Sequence, residues 1–246
     1  QPDVTVIGIG PMPNLAALLA SAPDEISPLH GLDLMRHSVN RVVLMAGAFP
    51  RGREYNVLSD PAAARTLLDN WPGEILFCGS EVGTEIRTGG ALCADEHVYS
   101  PVASGYFAFS NGRSTASFDQ SAVLAAVRPR RYFRLSRPGV VSVSPDGSSA
   151  FQPQPGGRHR HVILRRPDRL RRDIERLMQP PPALHLPTET MDNRAIWYEK
   201  MRLLSELSSD PDEELDELER VPGGNSGSDA EPEPGGGTEP GDGVPG

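Results

Sequence analysis

Cysteine and long apolar runs are scarce in this sequence, and each shortage excludes a class of protein. Two cysteines, Cys78 and Cys93, are too few for a disulfide framework or a cysteine-based metal cluster, so both are expected to be ordinary thiols. No run of 18 or more apolar residues occurs, which argues against a membrane-spanning helix. No basic and then apolar leader precedes the first strand-like run. Because the chain starts abruptly at Gln1, we expect its natural beginning to lie upstream.

Basic residues are missing mainly from the C-terminal part. From Glu206 to the end the chain has thirteen acidic residues and one arginine, net −12, whereas the remainder has twenty acidic and twenty-three basic residues, net +3. The two parts add to the overall charge of −9. The residues before Glu206 are close to neutral, so their charge does not indicate nucleic acid or a membrane surface as the main partner.

The composition changes after residue 178 and predicts a division of the chain. Residues 1–178 have a globular composition, and 179–194 begin with a Pro-Pro-Pro run that is typical of a stiff linker. Residues 195–220 start with an amphipathic helical pattern and continue as an acidic run. Residues 221–246 consist mainly of Gly, Pro and acidic residues. They contain too few apolar side chains for burial to offset the entropy lost on ordering the segment. We therefore predict a disordered acidic C-terminal tail.

Short apolar runs alternate with amphipathic helical patterns in the first 178 residues. Repeated βα units of this kind predict an α/β fold with a doubly wound, mainly parallel sheet. A period of two over residues 140–164, around a Pro-Asp-Gly turn, predicts a small antiparallel appendage. The predicted parallel strands are Val4 to Ile9, Val42 to Met45 and Ile75 to Cys78, and helices are predicted at Asn14 to Ala22, Asp60 to Trp71 and Gln120 to Val127.

Residues 42–64 carry the most informative local pattern, VVLMAGAFPRGREYNVLSDPAAA. An apolar strand and a Gly-containing turn precede Glu54 and Asn56, and an N-cap aspartate with a following proline opens the next helix. In an extended segment the two side chains would share one side at the carboxyl end of the strand, where α/β sheets bind ligands. A carboxylate and an amide suit vicinal hydroxyls, but the spacing alone equally allows two solvated loop residues. A loop, Gly79 to Gly83, is predicted after the next strand, and it also contains a carboxylate, Glu81.

Four segments resemble the inosine/uridine-preferring nucleoside hydrolase family, and in particular a bacterial branch of it. The resemblance extends over roughly residues 3–178, and its most specific part is similar to the family pattern LMGGAF…EFNxxxDPxAA. It implies the nucleoside hydrolase fold and hydrolysis of the N-glycosidic bond of ribonucleosides to free base and ribose, through an oxocarbenium-like transition state. The segments are VTVIGIGPMPNLA (4–16), VVLMAGAF…EYNVLSDPAAA (42–64), WPGEILFCGSEVG (71–83) and SFDQSAVLAAVRP (117–129).

The resemblance also implies roles for four residues, and a fifth, Phe118, stands where the family commonly has a histidine. Ca²⁺ is the cofactor it implies, with Asp119 and the backbone carbonyl of Ile9 as metal ligands. Glu54 and Asn56 would bind ribose hydroxyls. The aromatic ring of Phe118 could still stack on a nucleobase. The expected partner is a small-molecule nucleoside; a homo-oligomer and the compartment, cytoplasmic or secreted, are left open. Asp119 could alternatively serve only as a helix N-cap.

Three departures from the family pattern bear on catalysis. The aspartate cluster DxDxGxDD, which supplies the general base and most calcium carboxylates, is absent from the sequence, so the base is expected in an upstream segment. The histidine that usually precedes the late aspartate is Phe118, which cannot donate a proton. The usual asparagine before the Glu-x-Asn pair is missing, and Arg51 and Arg53 occupy this loop. We therefore expect the chain alone to bind Ca²⁺ weakly and to release no base. The alternative hypothesis is a non-catalytic family member that acts as a binding or assembly module.

Two other patterns give weaker predictions. His159 and His161 lie two apart on a predicted strand and could together bind Zn²⁺, but the sequence supplies no third ligand nearby. The arginines between Arg158 and Arg176 could contact phosphate, but they alternate with a regular apolar stripe, as on a solvated helix face.

Overall fold

The computed structural model of the chain describes residues 4–94 and 101–179. The predicted linker after Gln179, the helical and acidic segment and the acidic tail lie outside these described residues. Among the described helices, none has the length and apolar character that crossing a membrane requires.

The described residues form ten strands and ten helices. The strands are β1 (Val4–Gly8), β2 (Val39–Met45), β3 (Arg51–Arg53), β4 (Ile75–Cys78), β5 (Arg87–Thr88), β6 (Thr115–Ala116), β7 (Phe133–Leu135), β8 (Gly139–Val143), β9 (Ser148–Pro153) and β10 (His159–Leu164). The helices are α1 (Pro13–Ala20), α2 (Gly31–Ser38), α3 (Tyr55–Ser59), α4 (Pro61–Asn70), α5 (Ser80–Glu85), α6 (Gly90–Ala94), α7 (Pro101–Ser110), α8 (Phe118–Val127), α9 (Pro129–Tyr132) and α10 (Pro167–Met178).

The main sheet has the strand order β1-β2-β4-β10-β8-β9-β3, with β7 paired to β10. Strands β1, β2, β4 and β10 run parallel, and β8, β9 and β3 continue the sheet antiparallel. The prediction of a mainly parallel sheet with a small antiparallel extension is confirmed. The carboxyl ends of β1, β2 and β4 consequently lie along one edge of the sheet.

Helices cover both faces of the parallel strands, which makes the domain doubly wound. Val42 and Leu44 of β2 pack with α1, α2 and α4 on one face, whereas Val43 and Met45 pack with α5, α8, α9 and α10 on the other. All four side chains are at most 4% exposed. Side chains of this size contribute roughly 1.5–3 kcal/mol each when fully buried. The continuous apolar run in the sequence therefore reflects a strand that is covered on both sides.

Strand β10 occupies a different place from the one predicted. The period of two suggested the third strand of an antiparallel appendage, and that part of the prediction is wrong. His161 pairs with Phe77 in a parallel ladder, so β10 is the fourth parallel strand, and it meets β8 only at its first residue, His159. Alternation of apolar and polar residues indicates which face of a strand is buried. It does not indicate whether the neighbouring strand runs parallel or antiparallel, because long-range pairing determines that direction.

Two shorter segments also differ from the expectation. The residues after β4, predicted as a loop, form helix α5, and the loop before Glu54 contains strand β3, which pairs with β9. Both elements are short, so a local sequence pattern carries little information about them.

Candidate functional site

The turn that follows β2 is held by two carboxylates from other elements. Gly47 has a positive φ of 79°, a backbone conformation that glycine adopts without strain. The Gly47 N–H donates to Glu54 Oε2 over 3.0 Å, and the Phe49 N–H donates to Glu81 Oε2 over 3.0 Å. The turn at the carboxyl end of β2 is thus joined both to the start of α3 and to α5.

Glu54 caps a helix instead of lying in an extended segment. Tyr55–Ser59 is helical, so the extended conformation predicted for the Glu-x-Asn pair is wrong. The Glu54 carboxylate accepts hydrogen bonds from the N–H groups of Asn56 (2.8 Å) and Val57 (3.2 Å), in addition to that of Gly47, and the residue is 7% exposed. A carboxylate placed before a helix satisfies its unpaired N–H groups and favours its N-terminal dipole.

Asn56 joins the short helix to the end of strand β2. Its Nδ2 donates to the carbonyl of Met45 over 2.9 Å, and the residue is 7% exposed. Glu54 and Asn56 are therefore buried and hydrogen-bonded to backbone groups, which excludes the reading of two solvated loop residues. Neither residue lines either of the two cavities described below. Their contact with ribose stays a prediction.

The start of α8 is positioned by α5 and the segment that follows it. The Ser117 N–H donates to the carbonyls of Gly83 (3.1 Å) and Ile86 (2.8 Å), and the Ser117 hydroxyl is hydrogen-bonded to the Thr88 hydroxyl. A Cβ on Gly83 would lie 2.2 Å from the Phe118 ring. The absence of a side chain at Gly83 therefore allows the first turn of α8 to pack directly against α5.

A cavity of about 320 Å³ opens beside the first turn of α8. It is lined by Phe118 and Asp119, so the structure brings together the residue predicted to stack on a base and the predicted metal ligand. The N-cap of α8 is Ser117, which excludes an N-cap role for Asp119. The remaining lining residues are Gly105, Tyr106, Phe109, Thr115, Ala116 and Gln120.

Two carboxyl groups have raised pKa values, that of Asp119 beside this cavity and that of Glu81 in α5. Burial raises the pKa of Asp119. Burial also raises the pKa of Glu81, although the hydrogen bond from the Phe49 N–H acts in the opposite direction. The pKa of the Cys78 thiol is raised first by burial and then by the negative charges of Glu81 and Asp119, so Cys78 stays a neutral thiol. Both carboxylates therefore lie close to the end of β4.

Sequence reasoning did not identify Glu81, Tyr106 or Gln120 as site residues. A signal existed for Glu81, a carboxylate just after a parallel strand. Gln120 follows the motif aspartate directly, but nothing local indicates that its side chain faces a cavity. Tyr106 lies on a different helix and reaches the cavity only through tertiary packing.

The described residues alone do not fit a calcium ion. Ca²⁺ takes six to eight oxygen ligands, usually with several carboxylates. Within residues 4–94 and 101–179 no group of three or more His, Cys, Asp or Glu side chains is placed to hold a metal. Asp119 could supply a carboxylate, and the carbonyl of Ile9, which directly follows β1, lies on the carboxyl side of the parallel strands. These two donors leave most of a calcium shell unfilled.

The two histidines of β10 have separate environments. His159 is 6% exposed, its Nδ1 accepts the Val141 N–H over 2.9 Å, and burial lowers its pKa to about 4. His161 stacks on the ring of Phe49 at 4.9 Å, and burial lowers its pKa as well. It lines a second cavity of about 280 Å³ together with Phe49, Glu81, Val82, Glu85 and Val162 to Leu164. His159 is accounted for by packing and by this backbone hydrogen bond.

Comparisons with known proteins agree with the resemblance noted in the sequence. A family model described as inosine-uridine preferring nucleoside hydrolase matches residues 1–171. The non-specific ribonucleoside hydrolase RihC of Escherichia coli strain SMS-3-5 / SECEC is 32% identical over 84 residues, which cover 32% of this chain and 24% of that protein. The match thus spans about a quarter of this curated relative.

Two solved structures share the fold. The inosine-uridine preferring nucleoside hydrolase of Bacillus anthracis superposes with a TM-score of 0.53 at 16% identity, covering 72% of this chain and 61% of that one. The plant nucleoside hydrolase PpNRh1 superposes with a TM-score of 0.52 at 19% identity, covering 72% and 62%. This chain therefore spans less than two thirds of either structure.

Proposed function

Because the chain belongs to the inosine-uridine preferring nucleoside hydrolase family, we propose that its described residues form the substrate-binding part of an enzyme that hydrolyses ribonucleosides to free base and ribose. The observation that carries the proposal is the pairing of Phe118 and Asp119 in one helical turn beside the same cavity. Family membership favours this activity over a non-catalytic binding module.

The two residues suit two parts of a nucleoside. The ring of Phe118 offers an apolar face on which a nucleobase can stack. Cleavage of the N-glycosidic bond builds positive charge on the ribose ring, and a fixed carboxylate such as Asp119 stabilises that charge most strongly where water is partly excluded. Phe118 cannot protonate the departing base, so assistance to the leaving group must come from another donor.

Glu54 and Asn56 enter the proposal as ribose-binding residues on the strength of the family motif. Their hydrogen bonds to Gly47, Val57 and Met45 support a second role, which is to hold the turn after β2 in place. Both roles are compatible with the position of the two residues beside the carboxyl end of β2. A ligand that reached them would have to approach side chains that are already hydrogen-bonded to the backbone.

Calcium enters the proposal only through Asp119 and the Ile9 carbonyl. When bound, the ion would supply Lewis-acid chemistry for the sugar hydroxyls and a water molecule. The remaining oxygen ligands would have to come from outside the described residues.

The proposal is tested by base release from a panel of ribonucleosides, measured by chromatography with and without a chelator. Two proteins are compared, the 246-residue chain and the same chain extended by its upstream coding sequence. We expect release of hypoxanthine from inosine and of uracil from uridine by the extended protein only, with loss of activity in chelator. Failure of the extended protein to hydrolyse any ribonucleoside would contradict the proposal.

A further inference from the structure

The second cavity, which His161 lines, is separate from the cavity beside α8. Gly83 of α5 contacts Phe118 of α8. Glu81 and Glu85 are one turn apart on the other side of α5, and both line the second cavity. Among the described residues none lines both cavities. With a volume of about 280 Å³, the second cavity is close to the lower end of the range for small-molecule sites.

The imidazole of His161 keeps one nitrogen that can accept a hydrogen bond. Its Nδ1 lies 3.2 Å from the carbonyl oxygen of Val162, which can only accept, so Nδ1 carries the hydrogen. Burial lowers the pKa of His161 and favours the neutral ring, in which Nε2 is unprotonated. Within the part of the chain that the structure describes, Nε2 has no hydrogen-bond donor. It is therefore available to a ligand.

The two glutamates add further acceptors. Glu85 is exposed, and among the described residues its carboxylate has no hydrogen-bond donor or cationic partner. Glu81 accepts the Phe49 N–H through Oε2, but a carboxylate has about four acceptor positions, so it keeps capacity for a ligand. The side chains that line the second cavity thus offer acceptors, and the one N–H among them, on Nδ1 of His161, is used by Val162.

This lining suits an organic cation that carries several N–H donors. A primary ammonium group has three such donors, and the ring of Phe49, stacked on His161, attracts a cation over its face. The aliphatic side chains of Val82, Ile163 and Leu164 can contact the carbon chain of such a ligand. A metal ion fits less well, because no three His, Cys, Asp or Glu side chains of the described residues converge on one point.

We propose that the second cavity binds a primary aliphatic amine as its ammonium ion. The nitrogen lies among the acceptors of Glu81, Glu85 and His161, and the carbon chain lies against the aliphatic wall. The proposed nucleoside site is on the other side of α5, so binding of the amine does not depend on hydrolysis.

The test uses butylammonium as the probe and 1-butanol as its neutral counterpart. Because the residues from Glu206 onward carry a net charge of −12 and attract any cation, the bound probe has to be located as well as detected. The methyl signals of Val82, Ile163 and Leu164 are therefore followed by two-dimensional NMR of the full chain. We expect saturable shifts of these signals with butylammonium, and binding of 1-butanol that is at least about threefold weaker.

Glu85→Gln keeps the size of the side chain and removes its charge. It should weaken the binding of butylammonium at least about threefold and leave that of 1-butanol unchanged. The matched control is Glu25→Gln, because Glu25 is exposed and does not line the cavity. His161→Phe keeps a ring beside Phe49 but removes Nε2, and it should also weaken binding of the ammonium ion.

Three results would each overturn the inference. In the first, the methyl signals of the cavity do not respond to butylammonium. In the second, 1-butanol binds as tightly as butylammonium, which would show that the acceptors make no contribution. In the third, Glu85→Gln binds butylammonium as tightly as Glu25→Gln does, which would place the cation elsewhere on the chain.

Discussion

Glu54 and His159 are buried polar residues whose contacts are satisfied by the backbone. Glu54 accepts hydrogen bonds from three N–H groups, those of Gly47, Asn56 and Val57. His159 accepts one from Val141 and packs edge-on against Phe77. Both side chains tie strand ends to neighbouring segments, so replacing either should change stability directly.

Replacing Glu54 by Gln should lower the free energy of unfolding by roughly 2 kcal/mol. The amide has one acceptor oxygen where the carboxylate has two, and its NH₂ group would face backbone donors. Urea unfolding followed by circular dichroism measures the change, with the exposed Glu25→Gln as control. An unchanged stability would show that the Glu54 carboxylate is not needed by the backbone and is free to serve a ligand.

Stability should fall in acid because of His159. Burial lowers its folded pKa from 6.5 to about 4, so between these values the unfolded chain binds a proton that the folded chain does not. Its contribution is therefore complete above about pH 6.5 and is lost as the pH falls towards 4, with a maximum of roughly 3 kcal/mol.

The contribution of His159 is isolated by comparing wild type with His159→Gln. Unfolding free energies are measured between pH 7 and pH 4.5, and His161, whose pKa is also lowered, is common to both proteins. The wild type should lose more stability than the variant over this range. Parallel pH profiles would show that His159 is not buried in its neutral form.

At the scale of elements, the contact between α5 and α8 sets the position of the candidate site. Ser117 donates to two carbonyls at the end of α5, and Phe118 packs where Gly83 has no side chain. Asp119 lies in the same turn, so the contact between α5 and α8 also determines the position of its carboxylate. Gly83 does not line the cavity, but it allows the Phe118 turn to take the position that forms one side of the cavity.

Replacing Gly83 by Ala should displace the start of α8. The added Cβ would meet the Phe118 ring at 2.2 Å and its Cα at 2.6 Å, and the backbone atom cannot rotate away. We expect a loss of roughly 2 kcal/mol in unfolding free energy, typical of overpacking, together with weaker nucleoside binding. The control is Gly73→Ala, where the added Cβ would meet only Trp71 at 3.6 Å. Equal behaviour of the two variants would contradict the proposed contact.

The apolar runs of β2 and β4, and the Asp60 cap of α4, were predictable because each depends on neighbouring residues. The Asp60 carboxylate does accept the Ala63 N–H, over 2.8 Å. The direction of β10 and the surroundings of Glu54 were not predictable, because they depend on partners distant in sequence. Phe118 and Asp119 were located by the family motif, whereas Tyr106 reaches their cavity from another helix.

At the scale of the whole molecule, four parallel strands bring their carboxyl ends to one edge. The Gly47 turn, the start of α5 and the residue Ile9 all follow strands that end there. This region presents the ring of Phe118 and the carboxylates of Asp119 and Glu81. The proposed function requires this edge to hold a sugar and a base, and within residues 4–94 and 101–179 it has too few carboxylates for a calcium ion.

The most direct test of the account is the rate of base release from inosine by the extended protein, compared with its Asp119→Ala variant. Asp33→Ala is the control, because the Asp33 side chain is about half-exposed and pairs with Arg36 at the surface. We predict a loss of at least about a hundredfold for Asp119→Ala, the order of magnitude for removing a group that stabilises transition-state charge, and little change for Asp33→Ala. Near-normal turnover by the Asp119→Ala protein would show that the reaction does not take place beside the first turn of α8.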